Sequence, residues 1–283
     1  MTQQAILYYF VLFGVFSAAF GACVGSFLNV CIYRIPLEQS VVKPRSHCPT
    51  CGNLIVWYMN IPILSWLFLR GRCAYCKNPI SYRYALVELL TAVLFVLVYL
   101  KWVAPALLGT SPLAHPLLVP VFWLVLAGLI VGTFIDFDHY ILPDSVTIGG
   151  MVLGPILSAL VPALQGTTIW WESLMQSGIG LAVGFGALFA VAWAGEKVFK
   201  KEAMGFGDVK LMGAIGAFFG WPSILFCIFL SSLLGSIVGV SLIVSGGAKM
   251  QSRIPFGPYI AASAVIWMFY GPQVFQWYVN LMR

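Results

Sequence analysis

Charge is what this chain lacks. Asp, Glu, Lys and Arg make up 8% of its 283 residues, while 61% are hydrophobic. A soluble domain of this length cannot hide so much apolar surface, and a disordered chain carries far more charge. Both classes are excluded. A cleavable signal peptide is missing too. No basic segment precedes the first apolar run, and that run, Ile6 to Ile32, far exceeds the ~7–15 residues of a signal core, so it reads as a retained first helix. Also absent is a soluble dinucleotide-type fingerprint, GxGxxG between strand and helix. The pairs Gly178/Gly180 and Gly184/Gly186 fall inside an apolar span, where close helix packing is their use.

Long apolar runs are what the chain has instead. A membrane span needs ~20 mostly apolar residues. Eight candidates follow, at about 5–32, 84–103, 119–136, 145–164, 174–196, 208–221, 222–246 and 257–280. The expected fold is an all-α polytopic membrane protein with about eight transmembrane helices. The sixth run is short enough for a half-helix or a re-entrant segment. Trp221-Pro222 divides it from the seventh, because Pro starts a helix more readily than it continues one.

The net charge of +6 does not point to nucleic acid. Of the 15 basic residues, all but Lys101 and Arg283 fall in the 34–83, 197–210 and 247–256 loops. Eight spans put these three loops on one side. The positive-inside rule makes that side cytoplasmic and both termini external.

Residues 34–83 break the membrane pattern. They hold Cys48-Pro-Thr-Cys51 and Cys73-Ala-Tyr-Cys76, two CxxC pairs. Four thiolates in two knuckles suit tetrahedral Zn²⁺. A reducing cytoplasm favours metal over disulfides, though a redox pair or simple disulfides share the spacing. Some 50 residues support little core of their own, so a metal would supply folding energy. His47 reads as a solvated loop residue, and Cys23, Cys31 and Cys227 as small apolar residues of the spans. The aromatic stretch Ile55–Leu69 belongs at the membrane surface or against the helices. Three regions follow: a first helix (1–33), a cytoplasmic four-cysteine insertion (34–83) and a membrane domain (84–283).

Within the spans, two aspartates stand out. Asp136 closes the run VFWLVLAGLIVGTFID, and Asp208 sits in Gly205-Phe206-Gly207-Asp208 at the start of another. A carboxylate at a bilayer edge is costly and marks function. Two facing carboxylates share a proton and activate water, the chemistry of an aspartyl protease. Asp138 and Asp144 compete with Asp136: Asp138 reads as part of a polar turn and Asp144 as a helix N-cap. Asp208 has a capping alternative of its own. Lys210 serves equally as a tuner of the pair, a contact for an acidic substrate or a positive-inside anchor.

These motifs together resemble the type IV prepilin peptidases, the membrane aspartyl proteases with a GxGD element. The residues that carry the resemblance are Cys48-Pro-x-Cys51-Gly52, Trp57-Tyr58-x-Asn60-Ile61-Pro62 and Ser65-Trp66. They continue through Leu69-Arg70-Gly71-Arg72-Cys73, Cys76, Ser81-Tyr82-Arg83-Tyr84 and Glu88. In the membrane half they are Ile135-Asp136, Leu142-Pro143-Asp144, Gly205-Phe206-Gly207-Asp208-Val209-Lys210 and Ile254-Pro255-Phe256-Gly257-Pro258. Met59 and Ala85 depart from the family pattern, which is often acidic and Pro there.

The resemblance implies leader-peptide hydrolysis by Asp136 and Asp208 on prepilins or type II secretion pseudopilins, in a bacterial inner membrane. It also implies N-methylation of the new N-terminus with S-adenosylmethionine, linked to the insertion. Glu88 is a candidate to bind the substrate amine, with an ordinary helix-start charge as the alternative. A peptidase without methyl transfer, a presenilin-like intramembrane protease, a zinc-ribbon transporter and a secretion scaffold are the rival readings.

Overall fold

A computed structural model describes residues 3–109, 116–200, 204–245 and 254–282. Lys201, Lys249, Arg253 and Arg283, which enter the charge argument, lie outside the described residues. Among those described the fold is all-α, with two isolated β-bridges. The long helices are α1 (Gln3–Arg34), α3 (Tyr82–Trp102), α5 (Leu118–His139), α6 (Asp144–Leu160), α7 (Trp170–Phe199), α8 (Phe206–Phe219), α9 (Trp221–Val244) and α10 (Gly257–Leu281). Two short helices, α2 (Leu64–Phe68) and α4 (Ala104–Leu107), lie between them. Each apolar run thus forms one helix. Among the described residues, five segments are long and apolar enough to cross a membrane: Gln3–Leu37, Tyr82–Trp102, Leu118–His139, Trp170–Val198 and Trp221–Val244.

Two compact units divide the chain, Met1–Val131 and Gly132–Arg283, with the division inside α5. In the first, α1 lies along α3 on small residues. A Cβ on Gly21 would stand 2.8 Å from the Ala92 Cα, and one on Gly25 2.7 Å from the Glu88 Cα. Tyr99 donates its hydroxyl to the Phe10 carbonyl at 2.7 Å. Phe95 and Trp123 stack with centroids 4.8 Å apart, and the Trp123 indole donates to the Phe95 carbonyl. Each indole or phenol brought inside therefore finds a partner, as buried polar tips must.

In the second unit α8 is the central helix. Fourteen residues give it a length of only ~21 Å, too short for the ~30 Å hydrocarbon core. It is enclosed rather than lipid-facing, with ten of its residues buried. α7 approaches it backbone to backbone: a Cβ on Gly180 would fall 2.0 Å from the Gly216 carbonyl oxygen, and one on Gly184 2.4 Å from that of Met212. Packing is thus the use of Gly180 and Gly184, whereas Gly178 and Gly186 face open space. The free carbonyls at the end of α8 are capped by side chains, as a buried helix end requires. Gln165 Nε2 donates to Ala217 and Phe218, and Ser177 Oγ to Ala217. Gly220, at φ +73°, turns the chain, and α9 begins with Pro222 in its first turn.

Three local expectations need correction. α5 runs one turn beyond Asp136, so Asp138 and His139 are helical and the turn starts at Tyr140, whose φ is +56°. Asp144 is the first helical residue of α6 and makes no cap; Pro143 holds the N-cap position. Cys23 is exposed, while Cys31 and Cys227 are buried.

Candidate active site and metal centre

Asp136 and Asp208 come together in the second unit from two helix ends. Asp136 lies in the last turn of α5, and its carbonyl accepts the Tyr140 N–H that closes the helix. Asp208 lies in the first turn of α8, its N–H bonded to the Gly205 carbonyl. The side chains are 5% and 8% exposed. They are near enough for the charge of Asp136 to act on Asp208.

The start of α10 completes the arrangement. Gly257 donates its backbone N–H to Asp136 Oδ2 at 3.0 Å. A Cβ at 257 would stand 2.7 Å from that oxygen, so only glycine lets the amide this close. Leu142, in the connection after α5, fills the space beside the pair. Added Cβ atoms on Gly132, Gly207 and Gly257 would come within 3.3, 3.0 and 3.2 Å of its side chain. The three glycines make the room that this leucine occupies. Gly257 and Leu142 appear in the sequence motifs, but no sequence signal assigns them these contacts.

Lys210 is not directed at the aspartate pair. Its ammonium pairs with Asp144, whose side chain is 64% exposed. That pairing gives both residues a partner away from the chemistry.

In the first unit the insertion gathers its four cysteines. The sulfurs of Cys48, Cys51, Cys73 and Cys76 lie within 4.8 Å of one another. Two equivalent turns deliver them, 25 residues apart. Cys48 N–H bonds to the Asn53 carbonyl as Cys73 N–H does to Asn78, and Gly52 N–H to Cys48 as Lys77 N–H does to Cys73. Gly52 and Lys77 both have positive φ, +71° and +61°. The backbone N–H groups of Cys51 and Thr50 hold the Cys48 thiol down at about 6, and those of Cys76 and Tyr75 lower Cys73. Amides aimed at Cys48 and Cys73 favour their thiolates, the form that binds Zn²⁺, whereas Cys76, although the Asn78 amide lowers it, is pushed up to about 11 by burial and the neighbouring thiols. The donor set fits a four-cysteine metal site.

Glu88 anchors the insertion to α3: its Oε2 accepts the Ile63 N–H at 2.6 Å. The aromatic stretch splits. Trp66 is tied inward through its indole to the Ile80 carbonyl, whereas Trp57 and Phe68 are over four-fifths exposed.

Residues 19–102 match the model of the bacterial peptidase A24 N-terminal domain, and residues 123–240 that of the type IV leader peptidase family. The chain belongs to the type IV leader peptidase family. It is 43% identical to a prepilin leader peptidase/N-methyltransferase of Myxococcus xanthus, over 87% of this chain and 68% of that protein. Proteins of the same name from Aeromonas hydrophila and Pseudomonas putida are 37% and 36% identical, each covered over at least 90% in both chains. No solved structure matches. In this chain the glycines around Asp208 and before Pro258 stand where two helix starts meet the end of α5.

Proposed function

We propose that this protein removes the leader from type IV prepilins or type II secretion pseudopilins and N-methylates the new N-terminal residue. The observation that carries the peptidase reading is the meeting of Asp136 and Asp208, with Gly257 donating to Asp136. Two carboxylates this near do not both ionise cheaply, so one keeps a proton. The ionised one takes a proton from water as the oxygen attacks the scissile carbonyl. The protonated one donates to the carbonyl oxygen and stabilises the charge that builds there. The pair titrates as a unit.

Family membership supports methyl transfer, with S-adenosylmethionine as the donor consumed. Cys48, Cys51, Cys73 and Cys76 would hold a structural Zn²⁺, which supplies folding energy to the insertion. The helix bundle sits in a bacterial inner membrane, with the charged loops, the insertion and both aspartates on the cytoplasmic side. A substrate whose apolar helix lies in the same bilayer then reaches the aspartates laterally, at the start of that helix. The membrane lipid and the prepilin are the partners this reading needs; nucleic acid is not one.

The test is the intact mass of a prepilin incubated with the protein and S-adenosylmethionine, beside Asp136→Asn and Asp208→Asn. Leader loss plus one methyl group, abolished by either substitution, is the expected result. Leader loss with no methyl added leaves a peptidase alone. An untouched substrate with folded, zinc-loaded protein returns the transporter and scaffold readings.

A further inference from the structure

Glu88 is a buried carboxylate that neither the aspartate pair nor the cysteine cluster uses. It sits two turns into α3, 8% exposed. Among the described residues its hydrogen-bond donors are the Ile63 N–H at 2.6 Å and the Ser26 hydroxyl, both neutral. α1 presents Gly25, Ser26 and Asn29 on this side, and Asn29 is engaged with the Tyr84 carbonyl. Arg34, further along α1, gives its guanidinium to the carbonyls of Ser40 and Pro44. A carboxylate enclosed by apolar helices without a counter-ion is expensive, and such groups mark functional sites.

A second observation is independent of the charge. Ile63 has φ +63° and ψ −53°, and the Leu64 N–H bonds back to the Pro62 carbonyl at 2.6 Å. This is a γ-turn of the strained, positive-φ kind, centred on a β-branched residue. Strain of this sort persists where the surroundings hold it, and it gathers at functional sites. Here it turns the Ile63 N–H onto Glu88. The insertion is thus fastened to α3 at a buried carboxylate.

We propose that Glu88 is the group that receives the primary ammonium of the newly exposed N-terminus and takes its proton before methyl transfer. The inference rests on the methyltransferase reading above. An ammonium is no nucleophile until it loses a proton. The N–H bond breaks, the proton passes to Glu88, and the nitrogen lone pair is freed. That pair forms the new N–C bond as the C–S bond of the sulfonium donor breaks, its electrons staying on sulfur as a thioether. The product is a secondary ammonium.

The experiment compares the full-length protein with Glu88→Gln on prepilin and S-adenosylmethionine, reading leader loss, methyl addition and zinc content together. Gln keeps an oxygen for the Ile63 N–H and removes the base. At about pH 6.5 leader loss and zinc are expected to be unchanged while methyl addition falls ~100-fold or more. Raising the pH past ~8, where an α-amine gives its proton to water, is expected to restore methyl addition in the variant. Wild-type methylation by the variant overturns the proposal. So does a methylation defect that high pH leaves untouched, or joint loss of zinc and both activities, which makes Glu88 an anchor only. Cleavage without methyl addition by the unaltered protein removes the reading beneath it, and the proposal with it.

Discussion

Asp136 Oδ2 takes the Gly257 N–H at 3.0 Å, so the start of α10 closes on the end of α5 at the proposed catalytic carboxylate. An amide can only donate, and this oxygen therefore presents a lone pair to it. The contact orients Asp136 without any side chain at 257.

Gly257→Ala tests that orientation. The added methyl would stand 2.7 Å from Oδ2 and 3.2 Å from Leu142. Ala favours a helix more than Gly does, so α10 itself survives. A displacement of ~1 Å at a catalytic group costs on the order of 100-fold in rate. The expected result is a kcat for leader cleavage lower by about that factor, with KM little changed, because the substrate surface is intact. An unaltered kcat means that the Gly257 contact does not set the position of Asp136.

The pairing of Lys210 with Asp144 separates Asp144 from the chemistry. Exposed ion pairs contribute ~0–1 kcal/mol. Asp144→Asn and Lys210→Met are accordingly expected to lower thermal stability by less than ~1 kcal/mol and leave cleavage within a few-fold of the parent. If Asp144→Asn abolishes cleavage while Asp136→Asn does not, the first catalytic acid has been misassigned.

The helices were legible in the sequence because apolar length alone dictates them in a membrane. The cysteine cluster was legible because a CxxC spacing brings two sulfurs to one turn whatever surrounds them. Asp136 and Asp208 stood out by the cost of their charge. Contacts made by absence were not legible. Gly132, Gly207 and Gly257 matter for what they leave open around Leu142, and nothing in a string of residues says which glycines face one another. Asp144 carries every local sign of an N-cap, yet a lysine 66 residues away takes its carboxylate instead. Between an amine-binding group and a helix-start charge the sequence leaves Glu88 open, and its contact with the Ile63 N–H was not legible there.

Metal removal gives a third prediction. The insertion is held by two short turns and few buried side chains, so its order depends on the cysteines. Chelation, or Cys73→Ser, is expected to release one Zn²⁺ per chain and to open residues 34–83 to protease while the helices stay folded. Structural zinc sites of this kind contribute on the order of 10 kcal/mol to small domains. Zinc content and limited proteolysis in detergent measure both effects. An insertion that stays resistant after zinc is gone has a core of its own, and the structural role of the metal falls.

The approach of α7 to α8 sets the last prediction. Gly180 and Gly216 meet backbone to backbone, and a Cβ at 180 would lie 2.0 Å from the Gly216 oxygen. No side-chain rotation relieves a clash with a carbonyl, so the helices must separate. Overpacking costs ~1–3 kcal/mol, and more when backbone must move. For Gly180→Ala the expected loss is about 3 kcal/mol, a fall in Tm of roughly 6–12 °C for a domain of this size. Gly178→Ala and Gly186→Ala are the controls, on the same helix with nothing within 4 Å of the added methyl. They are expected to match the parent or exceed it slightly, since Ala is the better helix former. Because α8 carries Asp208 at its start, displacement of α8 is also expected to reduce cleavage in Gly180→Ala and in neither control. Equal Tm values for all three variants mean that α7 and α8 are not in backbone contact.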